Sequence, residues 1–219
     1  MVRRARRFGR MSLARTERSA LADLLEQVGP AQPTLCEGWD TGDLLAHLLV
    51  RERRPDAAAG MLIKPLAGHL KSVTEAFSKR PWAEQLRLYR EGPPGWNPMG
   101  WGKLDQLTNS GEMFVHHEDV RRGVDGWKPR ELDAATTEAI TGMLASGAMK
   151  MATRGIKCGV VAALSSGRTI ELKKAAPAVT VQGAPAEVLL WVFGRDACQV
   201  KLTGDDAALA AAASGHRGM

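Results

Sequence analysis

The 219-residue sequence contains few cysteines: Cys36, Cys158 and Cys198 are widely spaced, and no Cys-x-x-Cys pair occurs. An odd, scattered set of thiols argues against a disulfide framework and against a thiolate zinc site, and fits reduced side chains in a cytoplasmic protein. No stretch approaches the roughly 18 consecutive apolar residues that a membrane-spanning helix needs, which excludes that class. The basic start, MVRRARRFGR, is not followed by the apolar core of an export signal; SLARTERSALADLLEQ has the mixed pattern of an amphipathic helix instead. There are no internal repeats, which excludes solenoids and arrays.

Acid is also missing from the first ten residues, and this decides how the net charge is read. Arg3, Arg4, Arg6, Arg7 and Arg10 account for all but one of the net charge of +6. The remainder is close to neutral, so the basic character belongs to a tail over residues 1–11 and not to a nucleic-acid-binding face. Met11 is an alternative start. What is present is ordinary for a globular chain: 44% hydrophobic and 25% charged residues, and a length sufficient for two small domains.

The first part reads as helices. Ser12–Val28 places Leu13, Leu21, Leu24, Leu25 and Val28 on one stripe and stops at Gly29-Pro30. In Trp39-Asp40-Thr41-Gly42-Asp43, Asp40 is placed to cap a second helix and Asp43 to sit in its first turn, running through LLAHLLVRERR to Pro55. A third helical region covers 65–90 with a break at Pro81. The Gly-, Pro- and Trp-rich loop EGPPGWNPMGWG precedes another helix, LDQLTNSGEMFVHHEDVRR, and residues 132–151 read as one further helix. Strand-like runs follow over 156–164, 168–172, 178–181 and 198–202, interrupted by the helix APAEVLLWVFG, with a last short helix at 207–213. The expected organisation is a basic tail over 1–11, a helical domain over 12–152 and a small α+β domain over 153–213, with GHRGM frayed.

Glu112 and His116 are four residues apart and therefore share a helix face. His47, with Leu44, Leu48 and Arg51 as face neighbours, looks into a bundle from another helix. Two imidazoles and a carboxylate from facing helices suit a divalent ion of the zinc type, with nickel and iron as alternatives, and leave one position open. By spacing alone the same residues also fit a surface Glu–His pair and a core histidine.

Taken together, GWDTGDLLAHL and GEMFVHHEDVRR resemble the DinB-like four-helix-bundle superfamily, and within it the mycothiol-dependent maleylpyruvate isomerase group of actinobacteria. VTVQGAPAEVLLWVFGR is similar to the smaller, sterol-carrier-like C-terminal domain of that group, so the resemblance spans most of residues 12–204. It implies an α+β chain in which a DinB-like bundle is followed by a small α/β domain. It implies His47, Glu112 and His116 as ligands of a divalent metal, zinc above all, and mycothiol as thiol cosubstrate. It also implies an arginine, Arg195 by position, that holds an anionic substrate. The implied activity is thiol transfer to, or isomerisation of, a small electrophile, with metal-dependent hydrolysis as a variant. A non-catalytic metal- or ligand-binding protein is the alternative, its C-terminal domain taking a small apolar molecule or forming a homodimer surface. No nucleic-acid or membrane partner is expected. Around the site, His117 is read as a surface residue and Asp119 as a ligand-orienting or solvated acid. Cys36 is read as a packed loop thiol, and Trp96 and Trp101 as pocket walls or core covers.

Overall fold

The computed structural model describes residues 12–97, 102–147 and 149–218, with the backbone alone for residues 102–108 and 150. The arginine tail and Trp101 lie outside the described residues. The fold is mixed α+β, and the chain divides into two compact units: one comprises the chain up to Ala31 together with Thr41–His117, the other Gln32–Asp40 together with Glu118 onward.

In the first unit, α1 covers Leu13–Val28. The Ser12 side chain accepts from the Arg15 backbone N–H at its start, and Gly29, at φ +79°, closes its end by donating to Leu25 O. Helix α2 (Thr41–Arg53) opens directly after Asp40, with Asp43 in its first turn and Arg51 and Arg53 in its last, as the helix dipole favours. Its apolar residues Leu44, Leu45, Leu48, Leu49 and Val50 are all fully buried, the signature of a helix covered on most sides. Pro55 starts the short α3 (Pro55–Ala58), and two 3-10 turns lead to α4 (Ala67–Ser78). Pro81 separates α4 from α5 (Trp82–Glu91), where the break was expected. Helices α4 and α5 pack on α2, and α5 also packs on α1. Helix α6 (Gly102–Arg122) is the longest and contributes residues to both units.

In the second unit, α7 (Ala134–Leu144) is capped by Asp133, whose carboxylate accepts from Thr136 N at 2.6 Å. The single helix expected over 132–151 is instead two, α7 and the short α8 (Met149–Ala152). The break falls at Ser146-Gly147: the Ser146 hydroxyl turns back to donate to Met143 O at 2.6 Å, and neither residue favours a helix interior. Strands β1 (Gly159–Leu164) and β2 (Thr169–Lys173) form a hairpin, and β3 (Ala178–Gly183) returns parallel to β1. After α9 (Pro185–Val192), β4 (Val200–Thr203) pairs antiparallel with β3, giving the sheet order β2-β1-β3-β4. Val160, Ala162 and Leu164 of β1 and Val179 and Val181 of β3 point into the core with Val188, Leu189 and Val192 of α9. Helix α10 (Asp206–Ser214) follows, capped by Asp205.

The C-terminal residues are not frayed as expected. Gly218 N donates to Ala152 O at 3.1 Å, and the Arg217 guanidinium stacks 5.0 Å from the centre of the Trp191 ring while pairing with Asp196. A cation over an aromatic face and a backbone bond are enough to fix such a short end.

Candidate metal centre

The core of the first unit brings two helix faces together. His47 and Arg51 are one turn apart on α2; Glu112 and His116 are one turn apart on α6. The His47 and His116 rings meet edge to face with centroids 5.6 Å apart, and Arg51 Nη1 donates to Glu112 Oε2 at 2.7 Å. Glu112 Oε2 also lies 3.4 Å from His116 Nε2. Histidine therefore faces histidine and guanidinium faces carboxylate, so α2 and α6 pass each other antiparallel at this point. All three residues expected as metal ligands belong to this one cluster.

The electrostatics at His47 and Glu112 favour the protonation states that metal ligation requires. Burial, reinforced by the neighbouring His116, lowers the pKa of His47 from 6.5 to about 4, so its imidazole is neutral at physiological pH. Burial pushes the Glu112 carboxyl up. Hydrogen bonding to His116 and the charge of Arg51 overcome that effect and hold the group at about 2. A neutral imidazole and an ionised carboxylate are the forms in which these side chains bind metal. Two imidazoles and a carboxylate are donor types that suit a divalent ion of borderline softness, and one of the Glu112 oxygens is held by Arg51.

Arg51 is the residue the sequence reading undervalued. It was noted as a face neighbour of His47, and its i,i+4 offset is the same signal that singled out Glu112 and His116. His117 is corrected outright: it is 6% exposed, not a surface residue, and its Nδ1 lies 2.7 Å from Glu17 Oε2 on α1, itself 3% exposed. Nothing in the local pattern of α6 points to a partner 100 residues away. A second buried pair, Arg18 with Glu52, links α1 to α2 nearby, and Asn97 Nδ2 donates to Glu52 O at 2.7 Å. Trp96 is 62% exposed and covers no core.

In the second unit, the last turn of α6 carries two further acids. Asp119, fully buried, accepts from Arg195 Nε at 2.8 Å and from Arg195 Nη2 at 2.6 Å, a forked carboxylate–guanidinium pair. The Cys36 thiol donates to Asp119 Oδ2 at 3.3 Å, and Arg195 Nη1 donates to Phe193 O at 2.6 Å. Cys36 is thus a partly buried loop thiol held by a carboxylate. Glu118 accepts from Arg122 Nε at 2.6 Å and from Arg130 Nε at 2.5 Å, while Arg122 also forks onto Glu187 of α9 at 2.9 and 2.6 Å. The Arg122 guanidinium lies 4.4 Å from the centre of the Trp127 ring. Burial raises the Glu118 pKa, but the surrounding guanidiniums outweigh it and the net direction is downward.

Residues 14–95 match the family model described as the mycothiol maleylpyruvate isomerase N-terminal domain. This stretch is similar to that domain over 82 of the 219 residues. Within the isomerase-type domain fall His47 and Arg51; Glu112 and His116 lie beyond the matched residues. Among solved structures, a mycothiol-dependent maleylpyruvate isomerase with a histidine-to-alanine substitution is similar to the chain with a TM-score of 0.57 at 16% identity. The similarity covers 87% of this chain and 90% of that one. A second structure of the mycothiol-dependent maleylpyruvate isomerase gives a TM-score of 0.49 at 18% identity, with the same coverage. No curated protein matches the chain. The fold of the chain, a helical part followed by a small sheet, is therefore similar to that of the first of these structures. No helix among the described residues is long and apolar enough to cross a membrane.

Proposed function

We propose that the protein is a divalent-metal-dependent enzyme that uses mycothiol to act on a small electrophile, by thiol transfer or by isomerisation, with His47, Glu112 and His116 as the metal ligands. The observation that carries this reading is the meeting of the three side chains in one partly buried cluster of the first unit, with His47 neutral and Glu112 ionised. A zinc ion held there would favour the deprotonated form of a thiol at its remaining position, supplying a nucleophile at neutral pH.

The chain's own residues do the rest. The rigid, apolar α2 fixes His47, since its flanking leucines are fully buried. Arg51 fixes the Glu112 carboxylate and keeps it charged. Arg195 remains the candidate for holding an anionic substrate group: the fork it makes to Asp119 is the geometry in which a guanidinium takes a carboxylate. That same pair, already formed, favours the second reading, a metal- or ligand-binding protein without turnover, because a substrate would have to displace a buried internal carboxylate.

Metal analysis of the purified wild type beside His47→Ala and Glu112→Ala tests the centre. About one zinc per chain is expected in the wild type and a large loss in both variants; equal metal content in all three would remove the basis for the site. Metal-loaded protein mixed with mycothiol and a model electrophile then separates the readings. Turnover supports the enzyme, and thiol binding without turnover supports the binder.

A further inference from the structure

Between α3 and α4 the first unit places apolar side chains in water. Met61, Leu62 and Ile63 are consecutive in sequence and are 38%, 85% and 49% exposed. The other exposed large apolar residues among those described, Trp39, Trp96, Val124 and Met151, each stand alone in the sequence. A single exposed aliphatic is ordinary, but three side by side form a contiguous apolar surface that is costly to hydrate.

The exposure is built into the backbone. Leu62 N and Ile63 N both donate to Ala59 O, at 3.1 and 2.9 Å, and Leu66 N donates to Ile63 O at 2.9 Å. Gly60, just before the tip, is buried: a methyl there would stand 2.8 Å from Leu70 Cβ of α4 and 2.7 Å from Leu66 O. The loop is therefore anchored on α4 through Gly60 and closed by its own hydrogen bonds, with the next three side chains facing water.

The charges around the tip are of one sign. No acid occurs between Asp56 and Glu75, whereas Lys64, His69 and Lys71 do. Asp56 is itself engaged by Arg54 and by His69 Nε2 at 2.9 Å. Lys64 is exposed, and the Lys71 side chain is 80% exposed. An apolar tip beside lysines complements a surface that is apolar inside and anionic at its rim, which is the layout of an anionic bilayer. A protein partner fits less well, since a stable contact buries roughly 800 Å² on each side, over some 20–30 residues, far more than a three-residue tip offers.

We propose that the loop around Met61, Leu62 and Ile63 is a membrane-surface contact that sets these side chains among the acyl chains of an anionic bilayer, with Lys64 and Lys71 at the lipid phosphates. This departs from the expectation of no membrane partner. The lack of a membrane-crossing helix among the described residues bears on spanning and not on contact with a surface. The inference is independent of the metal reading, and the tip is an attachment point, not part of the metal centre.

The test is co-sedimentation of the full chain with vesicles of phosphatidylglycerol and phosphatidylcholine in equal parts, and with vesicles of phosphatidylcholine alone. The wild type should partition onto the mixed vesicles. Leu62→Ser should partition about tenfold more weakly or worse, as the loss of one buried aliphatic side chain predicts, and Leu62→Phe should keep its binding. Lys64→Glu should lose several-fold on the mixed vesicles and be unchanged on phosphatidylcholine. Urea midpoints equal to that of the wild type are expected throughout, because the substituted side chains are exposed. A wild type that stays in the supernatant would overturn the assignment. So would equal partition of wild type and Leu62→Ser, the result expected if the arginines of residues 1–10, present in both, carried the binding. Sedimentation equilibrium without lipid supplies the last arm: a wild-type dimer that Leu62→Ser abolishes would give the tip to a second copy of the chain and overturn the lipid assignment.

Discussion

Acidification of the metal-free protein should destabilise it in a pH window set by His47. The imidazole is held neutral in the fold, its pKa lowered from 6.5 to about 4 by burial and by the adjacent His116. In the unfolded chain it takes up a proton near its ordinary value. Below that value the unfolded state binds the proton and the folded state does not, so protons favour unfolding. The stabilisation that comes from keeping His47 neutral is complete above about pH 6.5 and is lost progressively as the pH falls toward 4. The gap between the two values corresponds to on the order of 3 kcal/mol at most, a large share of the stability of a small domain. Glu112 acts in a lower window: its carboxyl is lowered from 4.5 to about 2, so its contribution is complete above its unfolded value and falls away below it. The two groups can therefore be told apart. Urea unfolding of chelator-treated protein, measured from about pH 8 to about pH 4.5, should show a steep loss of stability in the wild type. In His47→Gln, which cannot take up the proton, the loss should be shallower by most of that amount. Identical pH profiles for the two proteins would refute the claim that His47 is buried in its neutral form.

Two further outcomes test the second unit. Arg122→Met should destabilise the protein by about 3–5 kcal/mol in urea unfolding, because it leaves Glu187 buried with the Gln199 backbone N–H, at 2.7 Å, as its remaining donor among the described residues. Adding Glu187→Gln should recover part of the loss, and a double variant worse than the sum of the singles would contradict the account. Gly123→Ala should cost roughly 2 kcal/mol or more, because a methyl there would stand 2.7 Å from Thr34 Cα and closer still to Pro33 O, neither of which can withdraw without moving backbone. A melting temperature unchanged from wild type would show that the segment at Pro33 and Thr34 yields more easily than its packing implies.

Local signals carried much of the fold. Ser12 and Gly29-Pro30 bracket α1, Pro81 separates α4 from α5, and the alternation in GVVAAL and AVTVQG appears as paired strands. These are nearest-neighbour effects of capping, ring closure and side-chain alternation, so a linear string contains them. The break at Ser146-Gly147 was visible in the residues but outweighed by the helical character of those around it. The candidate site was legible only with the family resemblance beside the i,i+4 offset of Glu112 and His116, which by itself also fitted a surface pair; the same offset from His47 to Arg51 is equally present. His117 was not legible. Reading a stretch as polar on one side presumes a helix with one wet face, whereas Met113 through Val120 of α6 are all buried. Two polar groups in that stretch are accommodated by partners distant in sequence: Glu17 accommodates His117 and Arg195 accommodates Asp119. Periodicity has no access to such partners.

Helix α6 places the Glu112–His116 couple, the His117 anchor, the Asp119 fork and the Glu118–Arg122 hub on one uninterrupted rod within eleven residues. Inserting or deleting a single residue there would rotate everything downstream by about 100° and shift it by about 1.5 Å, uncoupling all of these stations at once. Natural variants of this protein can therefore exchange side chains along the rod one at a time, but its length between Glu112 and Arg122 is fixed, and drift in chain length must be absorbed in the turns on either side of it.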